Sequence, residues 1–339
     1  MNSLRLPEKI YFKKGCMSLA LDELKAVYNA KKAFIISDMS LYRNGVTAVI
    51  EKKLDELSVQ HFCFFNINTA PDISLIEEAA KAVKLFEPDV IISFGSGYAA
   101  DTAKLVRVKY EYPETDLCVL SSDFSDIAYR EKNFPKLGEK ALLVSIADIN
   151  SNASEVSPYA VFYADGEELY IADYEIMSDM AVIDADFMLD GTKEEIVKAG
   201  LSALVRAVNA LDSQTATEYT DGFVIKAVQG IMQYMPEAVE KGAKESKSFE
   251  KLIEALNMAA IAYANTSSII NVDGTAQYLA DIIRLSAAES EESCSRYSEL
   301  SSALGFKGND DKKLTEKLIG KIEELVSFCG LENKALKCE

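Results

Sequence analysis

The sequence predicts an α/β domain with a parallel β-sheet, followed by an all-α domain. In the first half, short apolar runs alternate with segments of helical periodicity, which is the pattern of βαβ units. These runs are nearly continuous in apolar residues, as expected for parallel strands that are buried on both faces. From residue 192 onward only helical periodicity remains. We therefore predict two domains, residues 1–190 and 191–339.

The apolar runs of the first domain predict strands at residues 33–37, 60–65, 89–94, 142–146 and 181–184. Helical spacing of apolar residues predicts helices between them, at residues 46–57, 74–86 and 98–110. Asp72 is of a type that caps the start of a helix. The dipeptide Asp165-Gly166 separates two further strand-like runs, 159–163 and 168–172, and is typical of a β-hairpin turn.

In the second domain, Thr192 and Glu195 have the spacing of a capping box, which predicts that a helix begins there. Periodicity predicts helices at residues 195–211, 214–234, 249–265, 276–304 and 310–328. Residues 287–293 are polar and acidic, so they form either a solvated face of one of these helices or a loop.

Composition and charge exclude several classes of function. The chain has 339 residues, of which 49% are hydrophobic and 27% charged, as in an ordinary soluble globular protein. Its formal net charge of −18 repels phosphate polymers and anionic lipids, so we expect neither a nucleic acid nor a membrane as a partner. The six cysteines include no CxxC pair, which favours reduced thiols and a cytoplasmic location. Residues 1–8 lack the apolar stretch of a signal peptide.

The single histidine, His61, lies in the second predicted strand and limits the available chemistry. Transition-metal sites rely on imidazole or thiolate ligands, and catalytic zinc usually takes two or three histidines. A Ser-His-Asp or Cys-His device would depend on His61 alone. We therefore expect His61 to be a structural strand residue, and we expect no metal site built from histidines.

A glycine-rich turn is the strongest candidate for a ligand site. Gly95, Ser96 and Gly97 follow a predicted strand and precede a predicted helix, the context in which a G-x-G-x-x-A string binds phosphate. Asp38 follows the first predicted strand, where a carboxylate either binds ribose hydroxyls or caps the next segment. Asp101 adds negative charge to the same helix start, and such turns also occur without a ligand. For Asp101 and Lys104, we expect a surface or capping role.

Several short motifs occur in the same order as in a known enzyme family. The most specific is the heptapeptide ATEYTDG at residues 216–222. The others are PEKIYF (7–12), ISD (36–38), PDVII (88–92), DTAK (101–104), FPKLG (134–138), SEVSP (154–158) and VID (182–184). With these motifs the chain resembles the iron-containing (group III) alcohol dehydrogenases, in particular the dehydrogenase half of bifunctional aldehyde–alcohol dehydrogenases. The resemblance implies a Rossmann-like nucleotide domain and a helical domain in a dehydroquinate synthase-like architecture, with a catalytic cleft between them.

The nucleotide loops depart from the pattern of that family. The family turn reads GGGS, whereas Tyr98 here replaces the serine, and we expect its ring to be a packing plug in the phosphate site. The family loop TTSGTGSE corresponds to residues 148–155, which lack both glycines and all the threonines, and Asp148 introduces a charge. The resemblance therefore implies at most a weakened NAD(H) site, with five candidate residues: Asp38, Gly95, Ser96, Gly97 and Asp101.

The metal positions of the family also differ. The family binds its metal through an Asp and a His four residues later, on one face of a helix, and these positions correspond to Ser202 and Arg206. Two further family histidines correspond to Val272 and Ala276, and the histidine of a Pro-His-Gly turn has no counterpart. The resemblance thus implies that every metal ligand is absent, so we expect neither iron nor zinc. Their joint loss indicates that a catalytic constraint was released.

Three hypotheses follow from these departures. The first is a catalytically inactive member of the family that acts by binding or assembly, as a homodimer or as the partner of a paralogue. The second is a nucleotide-binding regulator or NAD(P)-binding protein with a weakened site around Asp38 and the glycine-rich turn. The third is an oxidoreductase with a rebuilt, metal-independent site, in which the Arg206 guanidinium holds an anionic ligand or polarises a carbonyl. Alternatively, Arg206 forms an ion pair with an acid such as Asp273. We favour the first hypothesis, then the second.

Overall fold

The chain forms two compact units, Arg5–Leu189 and Asp190–Glu339. The computed structural model describes residues 4–121, 134–266 and 275–334. The first unit combines a parallel β-sheet with helices, and the described part of the second is helical. The predicted fold class is therefore confirmed. Within the described residues, no helix is both long and apolar enough to cross a bilayer.

The first unit is built on a six-stranded parallel sheet. Its strands are β1 (Lys9–Phe12), β2 (Lys32–Asp38), β3 (Gln60–Ile67), β4 (Val90–Gly95), β5 (Leu142–Ala147) and β8 (Met180–Ile183). They follow the order β1-β8-β5-β4-β2-β3. All five predicted sheet strands are present. The four-residue β1, which is only partly buried, was not predicted.

A separate antiparallel hairpin consists of β6 (Tyr159–Ala164) and β7 (Glu167–Ala172). The two turn residues, Asp165 and Gly166, have φ values of 54° and 83°. Two successive residues with positive φ are what a type I′ turn requires, and Asp-Gly supplies them at little cost. The predicted hairpin is therefore confirmed, and its turn lies where the dipeptide indicated.

The described residues of the first unit include the α-helices α1 (Cys16–Ala26), α2 (Met39–Arg43), α3 (Ala48–Glu56), α4 (Ile73–Phe86), α5 (Gly97–Glu111) and α6 (Leu117–Leu120). The Asp72 side chain accepts a hydrogen bond from the Leu75 N–H, which confirms it as the N-cap of α4. The sequence patterns did not predict α1, α2 or α6. The start of α1 depends on a contact that is distant in sequence, since the Asp184 carboxylate accepts from the Gly15 and Met17 N–H groups.

Apolar side chains cover both faces of the sheet. On one face, Phe34, Ile36 and Ile91 pack with the buried sides of α4 and α5. On the other face, Ile35 and Ile92 pack with α1 and α3. Successive strand residues point to opposite faces, so a continuous apolar run supplies both layers. This packing explains why the strands read as unbroken hydrophobic stretches.

The second unit contains α7 (Lys193–Leu211), α8 (Glu218–Lys241), α9 (Phe249–Ala264), α10 (Leu279–Glu289), α11 (Glu291–Ala303) and α12 (Asp311–Phe328). The capping box of Thr192 and Glu195 is confirmed at the start of α7. The single helix predicted over residues 276–304 is wrong. It is interrupted at Ser290, whose side chain accepts from the Ser293 N–H and starts α11. Serine competes with helical backbone bonding in this way, so it favours a cap over a helix interior.

Candidate functional site

The glycine-rich turn lies at the carboxyl edge of the sheet. β4 pairs with β2 on one side and with β5 on the other, and all three run parallel. β2 ends at Asp38, β4 ends at Gly95, and Asp148 follows β5. This edge of a parallel sheet is where ligands bind in open α/β folds. The structure thus brings Asp38 together with the predicted phosphate turn.

The Asp38 carboxylate is bonded to the turn itself. Oδ2 accepts from the Ser96 N–H at 2.6 Å, and Oδ1 accepts from Ser96 Oγ at 2.7 Å. Burial raises the pKa of Asp38, and the two Ser96 hydrogen bonds oppose this shift. Gly95 has a φ of 122°, and a Cβ there would lie 2.1 Å from Asp38 Oδ2. The close approach of the carboxylate therefore requires glycine at position 95.

The chain also approaches Gly97 closely. Its N–H donates to the Asn150 carbonyl at 3.1 Å. A Cβ at Gly97 would lie 2.9 Å from the Ser151 carbonyl oxygen. The N–H groups of Ser96 and Gly97, which open α5, thus bind oxygens of the protein. Two of the N–H groups that would receive a pyrophosphate at this helix start are therefore already occupied by the chain.

The segment that closes the turn is residues 148–153, which we term the Asp148 loop. Asp148 Oδ1 accepts from the Asn150 N–H at 2.8 Å, and the Asp148 N–H donates to the Gly95 carbonyl at 3.3 Å. Asn152 and Ala153 have φ values of 55° and 69°. Left-handed backbone is unusual for alanine, so the loop stores local strain next to the turn.

A buried lysine binds the segment that follows the loop. Lys104 is fully buried on α5, and its Nζ donates to Ser154 Oγ at 2.9 Å, to Ser157 Oγ at 3.1 Å and to the Tyr159 carbonyl at 2.6 Å. Burial lowers the pKa of Lys104 to about 8, although Asp101 and Glu155 act in the opposite direction. We term Asp101, Lys104, Ser154, Ser157 and Tyr159 the Lys104 cluster.

Asp101 belongs to this cluster rather than to the protein surface. Its carboxylate accepts from Ser154 Oγ and from the Val161 N–H, and burial raises its pKa. The expected surface or capping role of Asp101 and Lys104 is therefore wrong. Sequence reasoning missed the cluster because its acceptors lie about fifty residues away. One signal was present in the sequence, since the two charges occupy positions i and i+3 of α5 and each follows an alanine.

Tyr98 and His61 lie outside these contacts. The Tyr98 side chain is 46% exposed, so the expectation that its ring is a packing plug is wrong. His61 pairs with Ala33 near the start of β3, whereas the turn lies at the carboxyl edge of the sheet. Its Nδ1 is 3.7 Å from Asp55 Oδ1, at a partly exposed position. The assignment of Asp38, Gly95, Ser96, Gly97 and Asp101 to cofactor binding stays a prediction.

The second candidate region is the polar face of α7. Ser202 and Arg206 lie one turn apart on this helix, with 7% and 6% of their surface exposed. Ala276 lies in the 3-10 helix Thr275–Tyr278, whereas Val272 and Asp273 lie outside the described residues. The permanently charged guanidinium of Arg206, which has no lone pair to donate, does not fit a divalent cation at this position. The described ranges also contain no group of three or more His, Cys, Asp or Glu side chains placed to hold a metal.

Comparisons with known proteins agree with this architecture. The family model for iron-containing alcohol dehydrogenase matches residues 7–185, and the model for the C-terminal part of the Fe-containing alcohol dehydrogenase family matches residues 196–273. Among solved structures, an iron-containing alcohol dehydrogenase from Thermococcus thioreducens superposes with a TM-score of 0.85 at 24% identity, covering 97% of this chain and 86% of that one. A 1,3-propanediol oxidoreductase gives 0.86 at 18% identity, covering 98% and 87%. At these identities the likeness concerns the fold.

Two curated relatives are named as aldehyde-alcohol dehydrogenases. The chain is 33% identical to an aldehyde-alcohol dehydrogenase of Clostridium acetobutylicum, with 95% of this chain and 40% of the relative covered. It is 35% identical to the bifunctional aldehyde-alcohol dehydrogenase of Escherichia coli K12, with 77% and 29% covered. The chain thus spans well under half the length of these relatives. By its sequence and its fold, it belongs to the iron-containing alcohol dehydrogenase family and resembles the alcohol dehydrogenase half of the bifunctional enzymes.

Proposed function

We propose that this chain is a family member without metal-dependent alcohol oxidation, and that it acts by binding or assembly. The observation that carries the proposal is the buried Arg206 one turn from Ser202, at positions that the family resemblance assigns to metal ligands. A divalent cation supplies this kind of chemistry by polarising the alcohol oxygen. A guanidinium stays protonated at any physiological pH and would repel such a cation. These residues therefore do not support a catalytic step through a divalent metal.

Association is the function that the remaining features support. Buried apolar side chains cover both faces of the sheet, so the chain maintains a folded scaffold. Phe12 on β1 and Phe62 on β3 lie on the two outer strands of the sheet and are 60% and 47% exposed. Exposed aromatic residues on outer strands suit contacts with another chain. We propose a homodimer, or a complex with an active paralogue in the cytoplasm.

The metal part of the proposal is tested by elemental analysis. The purified protein is incubated with Fe(II) or Zn(II), desalted, and analysed for bound metal and for NADH-dependent aldehyde reduction. We expect far less than one equivalent of metal and no metal-dependent activity. The matched variant Ser202→Asp/Arg206→His restores two ligand types and should retain more metal. One equivalent in the unmodified chain, with activity that a chelator removes, would overturn the proposal.

The association part is tested by mass photometry. The protein is measured alone over a range of concentrations, and then together with a purified, active family member from the same genome. We expect a homodimer or a mixed complex, weakened by Phe62→Glu or by Phe12→Glu. A chain that stays monomeric at every concentration and forms no mixed complex would contradict this part.

Nucleotide binding is the second candidate function, because the Gly95–Ser96–Gly97 turn and Asp38 still meet at the carboxyl edge of the sheet. A ligand that binds the native state raises its unfolding midpoint. Thermal unfolding with NAD(H), NADP(H) or ADP-ribose therefore tests this candidate, and an unchanged midpoint with all of them would exclude it. Carbonyl-dependent NADH oxidation that Arg206→Ala abolishes would instead favour a rebuilt oxidoreductase site.

A further inference from the structure

The Asp148 loop occupies the place on the glycine-rich turn where a ligand would bind. The N–H groups that open a helix are the donors that a phosphate would occupy. At α5, the Gly97 N–H is bonded to the Asn150 carbonyl, and the Ser96 N–H is bonded to Asp38. The Ser151 carbonyl also lies within 2.9 Å of the point where a Gly97 Cβ would stand. A phosphate oxygen at Gly97 would therefore have to displace the backbone of the loop.

The loop is held at both of its ends. At its start, Asp148 Oδ1 accepts from the Asn150 N–H, which orients the residue whose carbonyl binds Gly97. Just beyond its end, the Lys104 ammonium binds Ser154 and Ser157 with its Nζ. Each of these bonds joins the segment to itself or to α5, the helix that begins at the turn. Loop and turn consequently form one connected polar network.

We propose that the Asp148 loop is a built-in closure of the glycine-rich turn, in which the Asn150 carbonyl is an intramolecular ligand of the Gly97 N–H and the Lys104 cluster fastens the loop to α5. The closure is an autoinhibitory contact. A ligand with a pyrophosphate group binds only to the open fraction of molecules, so its apparent affinity falls by that fraction. This inference does not depend on metal binding, and its test can fail while the proposed function stands, or the reverse.

Asp148 offers a matched pair of variants for the test. Asp148→Ala removes both the negative charge and the acceptor for the Asn150 N–H. Asp148→Asn removes the charge and keeps an acceptor oxygen. If closure matters, the alanine variant should bind ADP-ribose about fivefold more tightly than the asparagine variant, which is the ratio expected for one hydrogen bond. Isothermal titration calorimetry gives the two dissociation constants. Equal affinities would overturn the proposal, because the charge alone would then account for any gain.

Amide hydrogen exchange measures the closure directly and requires no ligand. In the unmodified protein the Gly97 amide should be protected, and Asp148→Ala should raise its exchange rate about fivefold. Lys104→Met should raise exchange over residues 148–157, whereas the matched control Lys109→Met, on the same helix, should leave it unchanged. If Asp148→Ala does not fold, Gly97→Ala serves instead, since its Cβ would displace the Ser151 carbonyl and deprotect residues 148–153. An unprotected Gly97 amide in the unmodified protein, or equal effects of the two lysine variants, would overturn the proposal.

Discussion

The Asp184 carboxylate accepts the Met17 N–H at 3.0 Å and so joins the end of β8 to the start of α1. Its other oxygen accepts the Gly15 N–H at 2.8 Å. These residues are about 170 positions apart, yet one side chain satisfies two of the donors that the helix start leaves free. The VID motif at residues 182–184 thus has a structural task at the carboxyl edge of the sheet.

Replacing Asp184 should therefore destabilise the first unit. Asp184→Ala leaves the N–H groups of Gly15 and of the buried Met17 without this acceptor, and we expect a loss of about 2 kcal/mol in the free energy of unfolding. Urea unfolding measures this loss. The neighbouring Asp186 forms an exposed ion pair with Lys14, so Asp186→Ala should cost less than about 0.5 kcal/mol. Equal losses in the two variants would show that the Asp184 contact contributes little.

Two glycines should respond in opposite directions to alanine. Gly95→Ala places a Cβ within 2.1 Å of Asp38 Oδ2 at a φ of 122°, and we expect it to destabilise the protein by about 3 kcal/mol. Gly222 lies inside α8 with no atom within 4 Å of an added Cβ, so Gly222→Ala should stabilise by up to about 1 kcal/mol. Thermal or urea unfolding compares the two. A tolerated Gly95→Ala would mean that the carboxylate does not need its close approach.

Replacing Ala153 by glycine should stabilise the protein. It has a φ of 69°, where alanine is strained and glycine is not. We expect Ala153→Gly to raise the free energy of unfolding by about 1 kcal/mol. The control Ala80→Gly lies within α4 and should lower it by a similar amount. If Ala153→Gly also lowers stability, the left-handed conformation of the loop is not strained.

Lys104 should make stability depend on pH above neutrality. Its pKa is about 8 in the folded chain, against an ordinary value of 10.5. Between these values the unfolded chain binds more protons than the folded chain, so stability rises with pH. The unfolding free energy of the unmodified protein minus that of Lys104→Met should increase by up to about 3 kcal/mol from pH 8 to pH 10.5. A constant difference would show that Lys104 is not desolvated.

Local sequence patterns predicted those elements whose signals are local. The Thr192 capping box, the Asp72 N-cap and the Asp165-Gly166 turn act over two to four residues, and each was found where predicted. The prediction of a single helix over residues 276–304 was wrong, and the reason is also local. Its apolar spacing continues past Ser290, whereas the side chain there starts a new helix. Periodicity alone does not separate one long helix from two shorter ones in series.

For the candidate site, the sequence and the tertiary structure each determined a different part. Apolar runs, a glycine pair and the order of the motifs were sufficient to predict a parallel sheet, a helical unit and the family. The sequence alone also specified that Ser202 and Arg206 stand where the resemblance expects metal ligands. The tertiary structure decided the partners of the charged and polar groups. Three of the hydrogen bonds join residues that are 50 to 58 positions apart: Asp38 with Ser96, Asn150 with Gly97, and Lys104 with Ser154. Such contacts form only when neighbouring strands end at one edge, and burial then fixes which oxygens the N–H groups and the ammonium must find.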